Sequence, residues 1–100
     1  MIATTLTVPA SATTLRQLLV NAGYTAPPET FAQIRVEQDI GNVGTIYMGV
    51  GDLSTTVFGA KLTNAATYPI EFGDVEYAGG TRVIKFIAAN ANDKIHILLR

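Results

Sequence analysis

The sequence predicts a mainly β domain: a small antiparallel β-sandwich, jelly-roll or immunoglobulin-like, of about seven or eight strands with one short N-terminal helix. Three observations predict it. Apolar and polar residues alternate with period two in several separate segments, the signature of half-buried strands. Turn residues recur between those segments. Only one stretch carries a helical apolar stripe.

Residues 2–8 alternate, with Ile2, Thr4, Leu6 and Val8 on one side, and read as a strand or an extended arm that Pro9 ends. Residues 11–23 form the helix. Ser11, Thr13 or Thr14 can cap its start, and Asn21 and Gly23 supply its stop. Leu15, Leu18, Leu19 and Ala22 make the stripe. A helix this short is unstable alone, so the stripe docks on the domain or on a neighbour. Pro27 and Pro28 stiffen the connection that follows. Residues 32–38 alternate cleanly, with Ala32, Ile34 and Val36 inward and Gln33, Arg35 and Glu37 in water. Residues 41–44 turn the chain into a strand over 45–50, with Ile46, Met48 and Val50 on one side. Shorter strands are expected over 55–62, 68–72 and 74–77; Pro69 makes the second an edge strand. Gly79 and Gly80 suit a hairpin turn. Residues 82–89 read as a strand buried on both faces, and 94–100 as a closing strand with Ile95, Ile97 and Leu99 inward.

A chain of 100 residues fits one domain. Residues 31–100 form the sandwich, and residues 1–30 are expected to be an arm and helix appended to it. Hydrophobic residues make up 48% of the chain and charged residues 15%, against about 25% charged in a typical soluble domain. That balance suggests apolar surface covered by neighbours. The net charge is −1 and the seven basic residues are scattered, so nucleic acid is not an expected partner. No apolar run reaches the roughly 18 residues of a membrane span, and residues 1–10 do not read as a signal peptide. The chain has no cysteine, which excludes disulfides and cysteine-ligated zinc and favours folding in a reducing compartment.

Catalytic machinery is hard to assemble from these residues. His96 is the one histidine, and the serines are Ser11 and Ser54; a triad needs a nucleophile beside a base. His96 reads as a half-exposed strand residue. Glu29, Glu37, Glu71 and Glu76 fall on wet faces or connections. Asp39, Asn42 and Asp52, or Asn90, Asn92 and Asp93, supply oxygen ligands of the kind calcium takes, but Asx residues are ordinary turn formers. The glycines at 41, 44, 49 and 51 lack the strand–turn–helix order of a dinucleotide site. The domain is expected to fold without metal or cofactor and to have no enzymatic activity. Tyr24, Tyr47, Tyr68 and Tyr77 do not cluster as a sugar-binding platform would.

Three stretches carry a resemblance: Thr14-Leu-Arg-Gln-Leu-Leu-Val-Asn-Ala-Gly23; the strand–turn–strand from Phe31 through Gly41-Asn42-Val43-Gly44 to Gly49; and Gly59-Ala-Lys-Leu62 with residues 92–99. Together they resemble the small β-sandwich virion structural proteins of tailed bacteriophages, of capsid decoration and tail or collar type. The chain departs from that pattern at Thr63-Asn64-Ala65, where the family look is a proline-glycine turn. The resemblance implies a capsid decoration protein on the outer capsid surface in many copies. The alternatives are a tail, collar or baseplate component, or, in another class, a glycan- or ligand-binding module. It implies the major capsid protein or other virion proteins as partners, a homo-oligomer in the particle, and location in the virion after synthesis in the host cytoplasm. Ile2, Leu6, Val8, Leu15, Leu18 and Leu19 are the expected assembly interface.

Overall fold

The computed structural model describes residues 2–29, 31, 33–62, 70–72 and 80–100. The fold is mainly β, with two antiparallel sheets and one short helix, compatible with a small sandwich. In chain order the elements are β1 (Ile2–Val8), β2 (Thr13–Thr14), α1 (Leu15–Asn21), β3 (Ile34–Gln38), β4 (Ile46–Gly49), β5 (Ala60–Leu62), β6 (Ile70–Phe72), β7 (Lys85–Ala88) and β8 (Asp93–Leu99). One sheet has the order β1-β8-β3-β6 and the other β2-β7-β4-β5. The strand expected over 74–77, the turn at 78–79, and Ala32, Tyr68, Pro69 and Tyr77 lie outside the described residues.

Alternation decides which side chains meet. In the first sheet Leu6, Ile34, Val36, Ile95, Ile97 and Leu99 turn inward. Ile46, Met48, Leu62, Phe86 and Ala88 do so from the second, and together they form one core. β8 lies centrally, with Ile95, Ile97 and Leu99 opposite Leu6, Thr4 and Ile2 on one side. On its other side the same three face Gln38, Val36 and Ile34.

The described N-terminal residues, 2–29, are part of the fold and not an appendage to it. β1 pairs along its whole length with β8, and this pairing buries Leu6 and Val8 in the home core. The helix is shorter than the stripe implied: Thr13 and Thr14 pair with Phe86 and Lys85 instead. Such β-branched residues suit a pleated surface better than a first helical turn. Thr14 is the N-cap, its Oγ1 accepting from Gln17 N at 3.1 Å. The helix ends at the Ala22 cap, and Gly23 follows with φ +106°. Leu15, Leu18 and Leu19 are fully buried in the chain's own core.

Three further expectations change. Strand β5 begins only at Ala60, because Ser54 folds the preceding residues into a turn: its Oγ accepts from the N–H groups of Thr56 and Val57. Val50 leaves the inner face and is exposed, since Gly51 adopts φ +67° and turns the chain away. The first half of the expected hairpin, with its strand over 74–77, lies outside the described residues, and its second half is no strand start. Gly80–Arg82 is instead a 3-10 turn that docks on the proline connection. There Thr81, fully buried, donates from Oγ1 to the Pro28 carbonyl at 2.6 Å and from its N–H to the Glu29 carbonyl.

Truncating Leu18 to alanine is expected to cost about 2–5 kcal/mol, read as a lowered denaturant midpoint. A variant that unfolds like the parent would take the leucine stripe out of the core.

Candidate functional site

The outer face of the first sheet carries its polar side chains. His96 on β8 stands between Thr5 on β1 and Glu37 on β3. Thr5 Oγ1 lies 2.8 Å from His96 Nδ1, and Asp39 Oδ1 lies 2.8 Å from Nε2. An ionised carboxylate only accepts, so Nε2 carries a proton. In the neutral ring Nδ1 then accepts from the Thr5 hydroxyl. The hydrogen bond from His96, and after it the Gly41 N–H that also reaches the carboxylate, hold the Asp39 carboxyl below the ordinary aspartate value.

Hydroxyl, imidazole and carboxylate in that order resemble a nucleophile, its base and an orienting acid. The ring is reversed relative to the serine hydrolases, in which Nε2 faces the nucleophile. Thr5 is exposed on a strand face, where bulk water competes for any developing charge. What the three residues do mechanically is clear: they brace β1, β8 and the segment after β3 to one another. The sequence reading of His96 as a half-exposed strand residue holds, and its two partners are the part that was missed.

The segment between β3 and β4 is clamped to the start of β8. Asn42 is buried and pairs like a strand residue, Nδ2 donating to the Lys94 carbonyl at 2.8 Å while Oδ1 accepts from Lys94 N at 2.7 Å. Asp93, also buried, accepts from Val43 N on one oxygen and Gly44 N on the other, at 3.0 and 2.9 Å. Gln38 Nε2 adds a bond to the Gly44 carbonyl at 3.2 Å. The side-chain polar atoms of Asn42 and Asp93 named here are paired with backbone, as buried polar groups normally are, while Gln38 Oε1 is buried without a partner among the described residues. On this fixed backbone two apolar side chains point into solvent, Ile40 at 95% exposure and Val43 at 75%. Beside them opens a shallow cleft of about 320 Å³, with Asp39, Asn42, Val43, Asn92 and Lys94 in its walls.

Asp39, Asn42 and Asp52 do not converge. Asn42 lies in the turn before β4, bonded to Asp39 and Lys94, whereas Asp52 follows the far end of β4, where Lys85 Nζ reaches the Gly51 carbonyl. In the second Asx group Asp93 has both oxygens committed to the clamp, and Asn92 takes φ +76° as a turn residue. Among the described residues no three His, Cys, Asp or Glu side chains gather as metal ligands. Glu29 forms an exposed ion pair with Arg82 at 2.6 Å.

The expected interface residues are placed differently. Leu6, Val8, Leu15, Leu18 and Leu19 are buried in the chain's own core, and Ile2 packs against it. The described exposed apolar side chains are Val20 on α1 and, on loops, Ile40 and Val43 at one end and Val50, Val57 and Phe58 between β4 and β5 at the other. Phe58 there tilts against Tyr47, ring centroids 4.7 Å apart. Compared with family models, curated proteins and solved structures, the chain matches none.

The depressed Asp39 value sets a sign. Its contribution to stability is present above the unfolded aspartate value, about pH 4, and is lost as the pH falls through the lower folded value. Asp39→Asn is therefore expected to melt lower than the parent at neutral pH and to lose less on acidification to about pH 3. Equal acid sensitivity in thermal melts of the two proteins would assign the acid response to other carboxylates.

Proposed function

We propose that this chain is a bacteriophage virion structural protein without enzymatic activity, a capsid decoration protein bound in many copies to the outer capsid surface. Its partners are the major capsid protein, other virion proteins and further copies of itself. The observation that carries the reading is the apolar tip formed by Ile40 and Val43. Each such side chain gains roughly 1.5–3 kcal/mol when fully covered. Because Asn42 and Asp93 already hold the backbone, covering it forfeits little conformational freedom. Exposed apolar side chains on a fixed loop are a surface for a partner.

The strand order supports the finer fold reading, a jelly roll. β1 pairs with β8, β2 with β7, β3 with β6 and β4 with β5, a nested antiparallel hairpin. Rolling it up adds β3 to β8 and β4 to β7. Jelly rolls build viral capsids, but also lectins and cupins, so the fold agrees with a particle role without choosing it. A tail, collar or baseplate position would use the same surfaces. A glycan module would use polar side chains in the cleft, and two of them, Asn42 and Asp93, spend theirs on backbone.

Particles of the phage that encodes the chain are expected to carry it as density on the outer capsid. Replacing Ile40 and Val43 together by serine is expected to abolish attachment while leaving the melting temperature near the parent's. Density in the tail would move the protein to the alternative position, and purified particles lacking the chain would end the reading.

A further inference from the structure

We propose that the free edge of β1 pairs antiparallel with β1 of a second copy of this chain, centred on Thr5. Among the described strands β1 is the outermost of its sheet, and hydrogen bonds elsewhere reveal which of its backbone groups face outward. Gln33 and Arg100 exchange both N–H and C=O, and Asp39 N donates to the Lys94 carbonyl. In an antiparallel ladder bonded pairs alternate with unbonded ones. Leu98 and His96 therefore turn their backbone toward β3, and Leu99, Ile97, Ile95 and Asp93 turn theirs toward β1. The register then directs Ile2, Thr4, Leu6 and Val8 to β8. It leaves the N–H and C=O of Ala3, Thr5 and Thr7 on the open edge.

Folded proteins protect edges by shortness or charge. Among the described strands β2 has only two residues, and β5 carries the exposed Lys61. β1 has seven residues, no charged side chain, no proline and an unbroken register. It is an edge without protection, and strand addition is what such an edge supports.

Its sequence fits itself. With Thr5 opposite Thr5, Ala3 faces Thr7, so all the outward residues fall in bonded pairs and each pair exchanges both its hydrogen bonds. On the inner side Ile2 faces Val8 and Thr4 faces Leu6, and no like charges meet. Slipping by two residues loses one of the bonded pairs, and slipping by one exchanges the two faces. A two-fold axis through Thr5 is the register that uses the whole edge, and it makes an isologous dimer with one continuous sheet. The pairing rests on the assembly reading for its use in a particle, but its existence is a property of the isolated chain. Seven residues a side bury less than a standard interface, so the free dimer dissociates on dilution.

The chain has no cysteine, so single cysteines report the register. Opposite residues at the axis have Cα atoms about 5.5 Å apart, inside the disulfide range, whereas Ala3 and its own copy stand about 14 Å apart. Under mild oxidation Thr5→Cys is expected to form a covalent dimer, Ala3→Cys alone to remain monomeric, and Ala3→Cys mixed with Thr7→Cys to cross-link. Thermal melts like the parent's would show each variant folded. Failure of folded Thr5→Cys to cross-link, or equal rates at all three positions, overturns the proposal. Both outcomes are independent of capsid attachment, which the particle experiment reads.

Discussion

The fold depends on the antiparallel pairing of β1 with β8. Thr5 and His96, which meet across it, are 91 positions apart, so forming this pair closes a loop of most of the chain. The entropic cost of closure grows only slowly with length, and the pairing is repaid by driving Leu6 into the same core as Ile95, Ile97 and Leu99. Once β1 lies on β8, the inner pairings have shorter loops to close. A nested set of this kind is built from sequence-distant contacts, which is the topology that folds slowly for its size.

The same pairing explains where polar chemistry collects. β8 begins at Asp93, and the residues just before and within its first turn of ladder hold the segment after β3. Asn42 imitates a strand partner for Lys94, and Asp93 caps the N–H groups of Val43 and Gly44. Removing either side chain removes two of these hydrogen bonds, each worth about 0.5–1.5 kcal/mol net. The Thr5–His96–Asp39 brace ties the same segment to the outer face of the sheet, a relay of hydrogen bonds across β1, β8 and the residues after β3. Clamp and relay together make this corner rigid, and its rigidity gives the exposed Ile40 and Val43 side chains a defined position.

Legibility in the sequence followed the range of the interaction. Residues 32–38 and 94–100 alternate so regularly that their inward residues, Ile34, Val36, Ile95, Ile97 and Leu99, could be read directly, and the leucine stripe of α1 was equally plain. What alternation does not carry is the identity of the covering surface. Leu6, Val8 and Leu18 have the same pattern whether a home sheet or a neighbour covers them, which is why an interface and a core could not be told apart there. The candidate site was less legible still. Asn42 and Asp93 look like turn residues, and they are; that each turn is tied to the other depends on a register that single strands do not encode. Thr5, Asp39 and His96 come from three separate segments, and the outward parity of Thr5 and His96 was the only available signal. The Ser54 turn was hidden for a different reason: its apolar residues Val57 and Phe58 imitate a strand, while a hydroxyl satisfies two backbone N–H groups locally.

β1 illustrates how one short strand divides its duties by parity. Its even residues from Ile2 to Val8 direct their side chains toward the core and their backbone toward β8. Its odd residues direct their side chains outward and their backbone to the open edge. Folding and association therefore draw on different positions of the same seven residues. Changes at Leu6 or Val8 act on the core, where lost burial is felt by the whole domain. Changes at Ala3 or Thr7 touch groups the domain does not use for its own ladder. Thr5 belongs to both sets, since its hydroxyl binds His96 on the face while its backbone lies at the edge. A charge introduced there would sit beside its own copy on the two-fold axis, so a position that is permissive in the monomer is the most restrictive one in the pair.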